Sequence, residues 1–271
     1  MARRLLARTS VRDALDSAVI ALAAAGCDTP RLDAELLLAN VLGTGRAALI
    51  ADPERGLEPD EARAFMDLAA RRRSREPVAY ILGEKGFRRI DLQVDARVLV
   101  PRPETEFVVE AALSLPEGAR VVDVGTGSGA IALALKDERP DLTILATDIS
   151  GDALAIARGN AARLGLEVEF LHTYLLDGVG EVDAVLSNPP YVAAGDRLPP
   201  DVGFEPREAL YGGPDGLDVI RRLIEVARGV PFVALEVGAG QAAAVAGLMT
   251  GRDVELVRDL AGHERVVVGR V

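Results

Sequence analysis

The chain has a single cysteine, Cys27, in 271 residues, so it cannot form an intrachain disulfide. That fits a reducing compartment, and a cytoplasmic setting is expected. It has only two histidines, His172 and His263, far apart in sequence. With one cysteine they leave no zinc-type spacing, and no metal is expected. Apolar residues make up 49% of the chain, enough for a substantial core, yet no run suits a bilayer span. Internal repeats and low-complexity segments are also lacking. Positive charge is short: the net charge is −11 and the isoelectric point is near 4.8. Phosphate recognition wants a basic face, so such a chain is not a default nucleic-acid binder. The shortfall is local. Residues 1–75 hold 12 Arg against 11 Asp and Glu, a net +1, whereas the remainder holds 19 Lys and Arg against 31 acids, a net −12.

The first residues imitate a signal peptide. Arg3, Arg4 and Arg8 precede "AVIALAAAGC", an apolar run that ends at Cys27. Asp13 and Asp16 stand before that run, where a signal segment should be basic. A helix accounts for the pattern better: Val11, Leu15, Ala18, Val19 and Leu22 recur at helical spacing, and Gly26 suits a C-terminal stop. Residues 1–75 therefore read as a helical domain, with amphipathic segments at 10–25, 30–42, 45–50 and 58–74. Pro30 and Pro59 fall in first helical turns, where proline is favourable. The last segment ends in Arg71-Arg72-Arg73-Ser74-Arg75. This cluster reads as a solvated helix end opposing the helix dipole, or as a contact for an acidic or nucleic-acid surface.

Residues 78–100 change period. "VAYIL", "IDLQV" and "RVLV" are short β-type runs divided by Gly83, Gly86 and Asp95-Ala96, and together read as a β-hairpin linker. A helix is expected from about Glu104 to Leu113. Within residues 103–271, strands are expected at 120–124, 142–147, 167–171, 182–187, 231–237, 253–258 and 264–269. Helices are expected at about 128–138, 151–164, 215–228 and 240–249. This alternation predicts an α/β domain with a mainly parallel sheet covered on both faces. Ligands of such sheets bind beyond the carboxyl ends of the strands.

Two such strand ends carry chemistry. "RVVDVGTGSGAIALAL" reads as a buried strand, a glycine loop and a helix. Gly125, Gly127 and Gly129 permit a tight turn and close approach to a ligand. Asp148 ends the next strand, at the distance where an acid typically holds ribose hydroxyls. With Ala130 the loop also satisfies a dinucleotide pattern, so the glycines alone do not choose between cofactors. Asp123 shifts the balance. Asp123-Val124-Gly125-Thr126-Gly127-Ser128-Gly129 resembles the first motif of S-adenosylmethionine-dependent methyltransferases. A carboxylate beside the loop compensates the positive charge of that cofactor, directly or through water.

The second strand end is "LSNPPY". Pro189 and Pro190 fix two φ angles and bias the residues before them away from helix. Asn188 adds a side-chain acceptor and Tyr191 a flat face. A planar NH2 group suits this strand end, with Asn188 Oδ1 and the Pro189 carbonyl accepting its two N–H bonds. Such acceptors align the nitrogen with a sulfonium methyl and stabilise positive charge developing on it. Taken alone, the stretch is equally compatible with an ordinary loop.

Together with "REPVAYILGEKGF" (75–87), "VLVPRPETEFVVE" (98–110), "FEPREALYGGPDGLDVIRRLI" (204–224) and "GHERVVVGR" (262–270), these motifs resemble the bacterial peptide chain release factor glutamine methyltransferases over nearly the whole chain. The resemblance implies a helical N-terminal domain (1–75), a β-hairpin linker (76–102) and a seven-stranded, Rossmann-like class I methyltransferase domain (103–271) using S-adenosyl-L-methionine. It implies N5-methylation of the glutamine in the Gly-Gly-Gln loop of class I release factors, docked by the helical domain. By matching position, Asp123, Gly125, Thr126, Gly127, Ser128, Gly129 and Asp148 would serve the cofactor, and Asn188 both cofactor and substrate. Pro189, Pro190 and Tyr191 would form the substrate-amide pocket, with Asn188, Pro189 and Tyr191 as the catalytic set. The family often places an Asp and a large aromatic near the adenine. Here Tyr174 and Leu175 align there, with Asp177 as the acid in a shifted register. Arg102, Glu104 and Glu106 border the site entrance or simply start a helix with favourable first-turn acids. The same amide pocket also suits adenine N6 in nucleic acid, or a ribosomal protein glutamine, although "PRPETE" speaks against the latter. A non-catalytic cofactor-binding scaffold is the third class. No membrane and no direct nucleic-acid target are expected, and the chain is expected to act as a monomer.

Overall fold

The computed structural model describes residues 9–271, and its chain divides into two units. Arg3, Arg4 and Arg8, which head the signal-like stretch, lie outside the described residues. No described helix is long and apolar enough to cross a membrane. Of the described residues, one unit holds 9–83 together with Pro199–Phe204; the other holds Glu84–Leu198 and Glu205–Val271.

The first unit is helical. α1 (Val11–Ala24) starts at Ser10, whose side chain accepts from Asp13 N at 3.1 Å. It buries Val11, Ala14, Leu15, Ala18 and Leu22, the i, i+3, i+4 stripe expected of an amphipathic helix. α2 (Pro30–Val41) and α4 (Pro59–Arg73) each begin on proline, and α4 adds a capping box between Glu58 and Glu61. The short α3 (Arg46–Ala51) lies between them in sequence. "VAYIL" is not a strand. It forms α5 (Val78–Leu82), in which Tyr80 N and Ile81 N donate to the Pro77 carbonyl at 3.0 and 3.1 Å. Gly83, at φ 77°, ends the turn. A five-residue apolar run carries no usable period, so the local reading had nothing to choose by.

Within the arginine cluster, Arg71 and Arg73 are exposed in the last turn of α4, as a solvated helix end requires, whereas Arg72 and Arg75 depart from both readings. Arg72 is buried, and its Nε and Nη1 donate to Asp33 Oδ2 at 2.6 Å and Asp201 Oδ2 at 2.7 Å. Arg75 also donates to Asp201, and Arg71 pairs with Glu76. Burial alone would raise the Asp201 pKa, but bonds from Arg72 and Arg75 hold it below the usual carboxylate range. A buried cation needs anionic partners, and a sequence cannot show that Asp33 and Asp201 converge on it. Removing one member of a buried ion pair costs about 3–5 kcal/mol. Arg72→Met is therefore expected to lower the unfolding free energy in urea by that amount, whereas exposed Arg73→Met should stay within about 0.5 kcal/mol.

The second unit opens with an antiparallel hairpin, β1 (Glu84–Phe87) and β2 (Ile90–Gln93), closed by Arg88-Arg89. "RVLV" forms no strand; Val98 N closes a turn on Asp95 O at 3.1 Å. A 3-10 turn at Pro103–Thr105 leads into α6 (Glu106–Ala112). Then follow β3 (Arg120–Val124), α7 (Ala130–Glu138), β4 (Thr143–Asp148), α8 (Gly151–Leu164), β5 (Glu169–His172) and β6 (Ala184–Ser187). α9 (Asp218–Val226), β7 (Phe232–Glu236), α10 (Ala242–Leu248), β8 (Asp253–Arg258) and β9 (Glu264–Arg270) complete the chain. The seven strands lie in the order β5-β4-β3-β6-β7-β9-β8. Pairings from β5 to β7 are parallel, and β9 runs antiparallel between β7 and β8. Val121, Val122, Ala184, Val185 and Leu186 are fully buried, which explains why these strands read as continuous apolar runs.

From β3 the chain winds outward through β4 to β5, then returns to place β6 on the other side of β3. The β3–β6 junction is thus the switch point, and the crevice beyond its carboxyl ends is where this architecture binds ligands. Asn160, buried on α8, supports one wall. Its side chain accepts from Gln93 N at 2.7 Å and donates to the Gln93 and Ser128 carbonyls at 3.0 and 2.9 Å.

Candidate active site

The glycine loop leaves β3 with Gly125, Gly127 and Gly129 at φ 72°, 56° and 87°, a region that disfavours residues bearing a Cβ. A Cβ at Gly129 would lie 2.8 Å from Leu133 Cδ1. The loop is tied to the neighbouring strand: Gly125 N and Thr126 N both donate to the Thr147 carbonyl at 2.9 Å. Asp148 continues this tie. Its Oδ2 accepts from Gly127 N at 2.9 Å and its Oδ1 from Ser150 N at 2.8 Å. Burial pushes its carboxyl pKa up, against the pull of those backbone bonds.

Asp123 lies beneath the loop, 1% exposed. Its Oδ2 accepts from Thr126 Oγ1 at 2.6 Å and Ala132 N at 3.2 Å. Its Oδ1 has no hydrogen-bond partner among the described residues. Burial, aided by the Asp148 charge, pushes the carboxyl up to about 7, while the bonds from Thr126 and Ala132 oppose this. A buried carboxylate with an orphaned oxygen fits a cationic ligand or a water that bridges to one. The residues thus suit an α-amino-bearing cofactor.

A cavity of about 320 Å³ opens beyond these strand ends. Gly125, Gly127 and Asp148 line it from β3 and β4, and Asn188, Pro189 and Pro190 from β6. Ile149, Tyr174 and Leu175 supply apolar surface, and Glu208 and Tyr211 stand at another wall. Leu175 is held at φ 51° with its carbonyl bonded to Thr147 Oγ1 at 3.2 Å. Other expected site residues do not reach the cavity. Asp177 is exposed and does not line it, so the shifted register gains no support. Thr126, Ser128 and Gly129 shape the loop from behind: Thr126 bonds Asp123, and the Ser128 carbonyl takes Asn160. Tyr191 also lies off the lining, its hydroxyl donating to Glu236 Oε1 at 3.4 Å. Burial first, then the Glu236 charge, drives its pKa upward.

The Asn188 turn is clamped by residues that the sequence motifs did not single out. Asn188 Nδ2 donates to Thr105 Oγ1 at 3.1 Å, which leaves Oδ1 as the amide's acceptor for the cavity. Ser187 Oγ donates to the Val124 carbonyl at 2.6 Å, fastening the two strand ends together. Gln241 Nε2 donates to the Tyr191 carbonyl at 2.9 Å. Gly212 and Gly216 press so closely that an added Cβ would stand 2.3 Å from the Pro190 carbonyl oxygen and 2.2 Å from that of Tyr191. "YGGPDG" carried a signal for this, since clustered glycines often mark close backbone approach. Of the "PRPETE" acids, Glu106 accepts from Arg88 N at 3.1 Å and Glu104 stands 3.9 Å from Arg265, while Arg102 pairs with Glu205.

A sheet of this order, with a glycine loop after its central strand and an acid ending the next, defines the class I methyltransferase fold. A solved methyltransferase from Pyrococcus furiosus shares that fold: TM-score 0.53, 20% identity, covering 67% of this chain and 88% of that one. The family described as methyltransferase small domain matches residues 104–200, and that described as PrmC N-terminal domain matches residues 13–83. The release factor glutamine methyltransferase of Deinococcus radiodurans is 43% identical over 96% of this chain and 98% of its own. That of Neisseria gonorrhoeae is 45% identical over 89% and 93%. The chain belongs to the release factor glutamine methyltransferase family.

The Asp123 environment generates a paired expectation. Its folded pKa is raised from 3.8 to about 7, so its contribution to ligand-free stability is full below 3.8 and lost as pH rises through about 7. Asp123→Asn is therefore expected to raise the melting temperature of the ligand-free protein at pH 8.5. The same variant should weaken S-adenosylmethionine binding, read by titration calorimetry, about 10- to 100-fold, the worth of a charge-assisted bond. Unchanged affinity would remove Asp123 from cofactor recognition.

Proposed function

We propose that the protein transfers the methyl group of S-adenosylmethionine to the side-chain nitrogen, N5, of the glutamine in the Gly-Gly-Gln motif of class I release factors. The observation that carries this reading is the Asn188 amide. Its NH2 is engaged by Thr105, so its oxygen is available beside Pro189 at the cavity formed with the glycine loop. An amide nitrogen is a poor nucleophile because its lone pair is delocalised. Asn188 Oδ1 and the Pro189 carbonyl accept its two N–H bonds, orient it and stabilise the positive charge it gains; that charge is discharged when one of the two protons leaves to solvent, while the sulfur keeps the electron pair of the broken C–S bond.

When bound, the cofactor supplies an electrophilic methyl on a sulfonium. The chain's own residues hold it: Asp148 for ribose hydroxyls, Gly125 and Gly127 for close backbone approach, Asp123 for the amino group. Tyr174 and Leu175 provide apolar surface for the adenine. Pro189 and Pro190 keep the acceptors rigid. The net charge of −12 after residue 75 favours a protein substrate over a phosphate-bearing one.

Loss of one transition-state partner typically costs on the order of 10²–10³ in rate. Asn188→Ala is expected to keep the fold while losing kcat on that scale. The test is mass spectrometry of the Gly-Gly-Gln peptide after incubating a release factor with enzyme and cofactor, with DNA in a parallel reaction. One added methyl on the glutamine, and none on DNA, is expected. Methylated adenine without methylated glutamine would overturn the assignment.

A further inference from the structure

Behind Asn188 lies a chain of buried polar groups. Thr105 Oγ1, which accepts from Asn188 Nδ2, itself donates to Glu236 Oε2 at 2.6 Å. The Tyr191 hydroxyl donates to the other carboxylate oxygen at 3.4 Å. Thr105 and Glu236 are 4% and 2% exposed, and Glu236 is the last residue of β7. A buried carboxylate is costly to keep in a sheet, so its arrangement invites a functional explanation.

Proton counting supplies one. A hydroxyl has a single proton, and an ionised carboxylate only accepts. With Glu236 ionised, the Thr105 proton points at Glu236, and the Thr105 oxygen offers only lone pairs to Asn188. The NH2 end of the Asn188 amide must then face Thr105, and Oδ1 must face the cavity. We propose that Thr105 and Glu236 are positioning residues that fix the polarity of the Asn188 amide, so that its oxygen and not its NH2 meets the substrate amide. This rests on the reading of Asn188 as an acceptor for the substrate NH2.

The relay is reversible, which gives it a signature. A protonated Glu236 can donate to Thr105, whose own proton then turns toward Asn188. The amide flips, and a donor faces the substrate's donor. Burial, with the Glu104 charge adding to it, pushes Glu236 up to about 7; bonds from Thr105 and Tyr191 and the Arg265 guanidinium oppose. Glu104 faces it from the 3-10 turn, Arg265 from β9 and Tyr191 from the loop after β6, with Arg102 acting on Tyr191.

The test is steady-state kinetics on a release factor from pH 6 to 8.5, with melting temperature and S-adenosylmethionine affinity measured for each variant. Thr105→Val, which keeps shape and loses the hydroxyl, should lower kcat about 10- to 100-fold at pH 8 while leaving cofactor affinity within a few-fold. Thr105→Ser should restore kcat to within about 3-fold of wild type, because only the hydroxyl is needed. Wild-type kcat should fall as pH drops through about 7, and Glu236→Gln should abolish that limb, even if Thr105→Val proves unstable. Wild-type kcat in Thr105→Val, no recovery in Thr105→Ser, or the same acid limb in Glu236→Gln would each overturn the relay. Asn188→Ala is run beside them: if it keeps full turnover the acceptor reading itself fails, and if it alone is impaired only the relay fails.

Discussion

The site depends on the pairing of β3 with β6. Val121, Val122 and Asp123 lie in parallel register with Ala184, Val185 and Leu186. Only this pairing brings the glycine loop and the Asn188 turn, about sixty residues apart in sequence, to one crevice. Both strands are buried on both faces, so the register is held by packing, and Ser187 locks their ends through the Val124 carbonyl. Loosening this junction would disturb each loop's aim at the other, while leaving most local structure intact.

Two buried acids flank that junction. Asp123 ends one hydrogen-bond network beneath the glycine loop, and Glu236 ends another behind the amide turn. Burial raises both to about 7, yet their roles differ. Asp123 keeps one oxygen without a described partner, which suits an incoming charge. Glu236 has both oxygens engaged, one by Thr105 and one by Tyr191. The fold tolerates the desolvation of both because hydrogen bonds compensate part of it.

Much of this was legible in the chain itself. Buried parallel strands such as β3, β6 and β7 are apolar for most of their length and stand out; all seven strands, the antiparallel β8 and β9 included, were visible to within about two residues at their ends. The glycine loop, Asp148 and the Asn188 turn were visible because rare residue types at fixed spacing carry them. Other features were hidden because they exist only between distant positions. Nothing local marks Arg72 as buried, since Asp33 and Asp201 come from far along the chain. Thr105 sits among the more conspicuous Arg102, Glu104 and Glu106, yet it is the residue that bonds Asn188. Asp177 illustrates the reverse, a plausible acid that the backbone turns outward. α5 shows the limit of pattern in short segments, where Pro77 and Gly83 decide what five apolar residues cannot.

The central claim is that the β3 and β6 loops form one site in which the oxygen of Asn188 receives an amide NH2. A crystal structure with S-adenosylhomocysteine and a glutamine-bearing release factor peptide tests it most directly. The account predicts the nucleoside against Asp148 and Leu175, and the glutamine nitrogen within hydrogen-bond distance of Asn188 Oδ1 and the Pro189 carbonyl. A glutamine nitrogen bound away from Asn188, or facing an Asn188 amide whose oxygen points to Thr105, would contradict it.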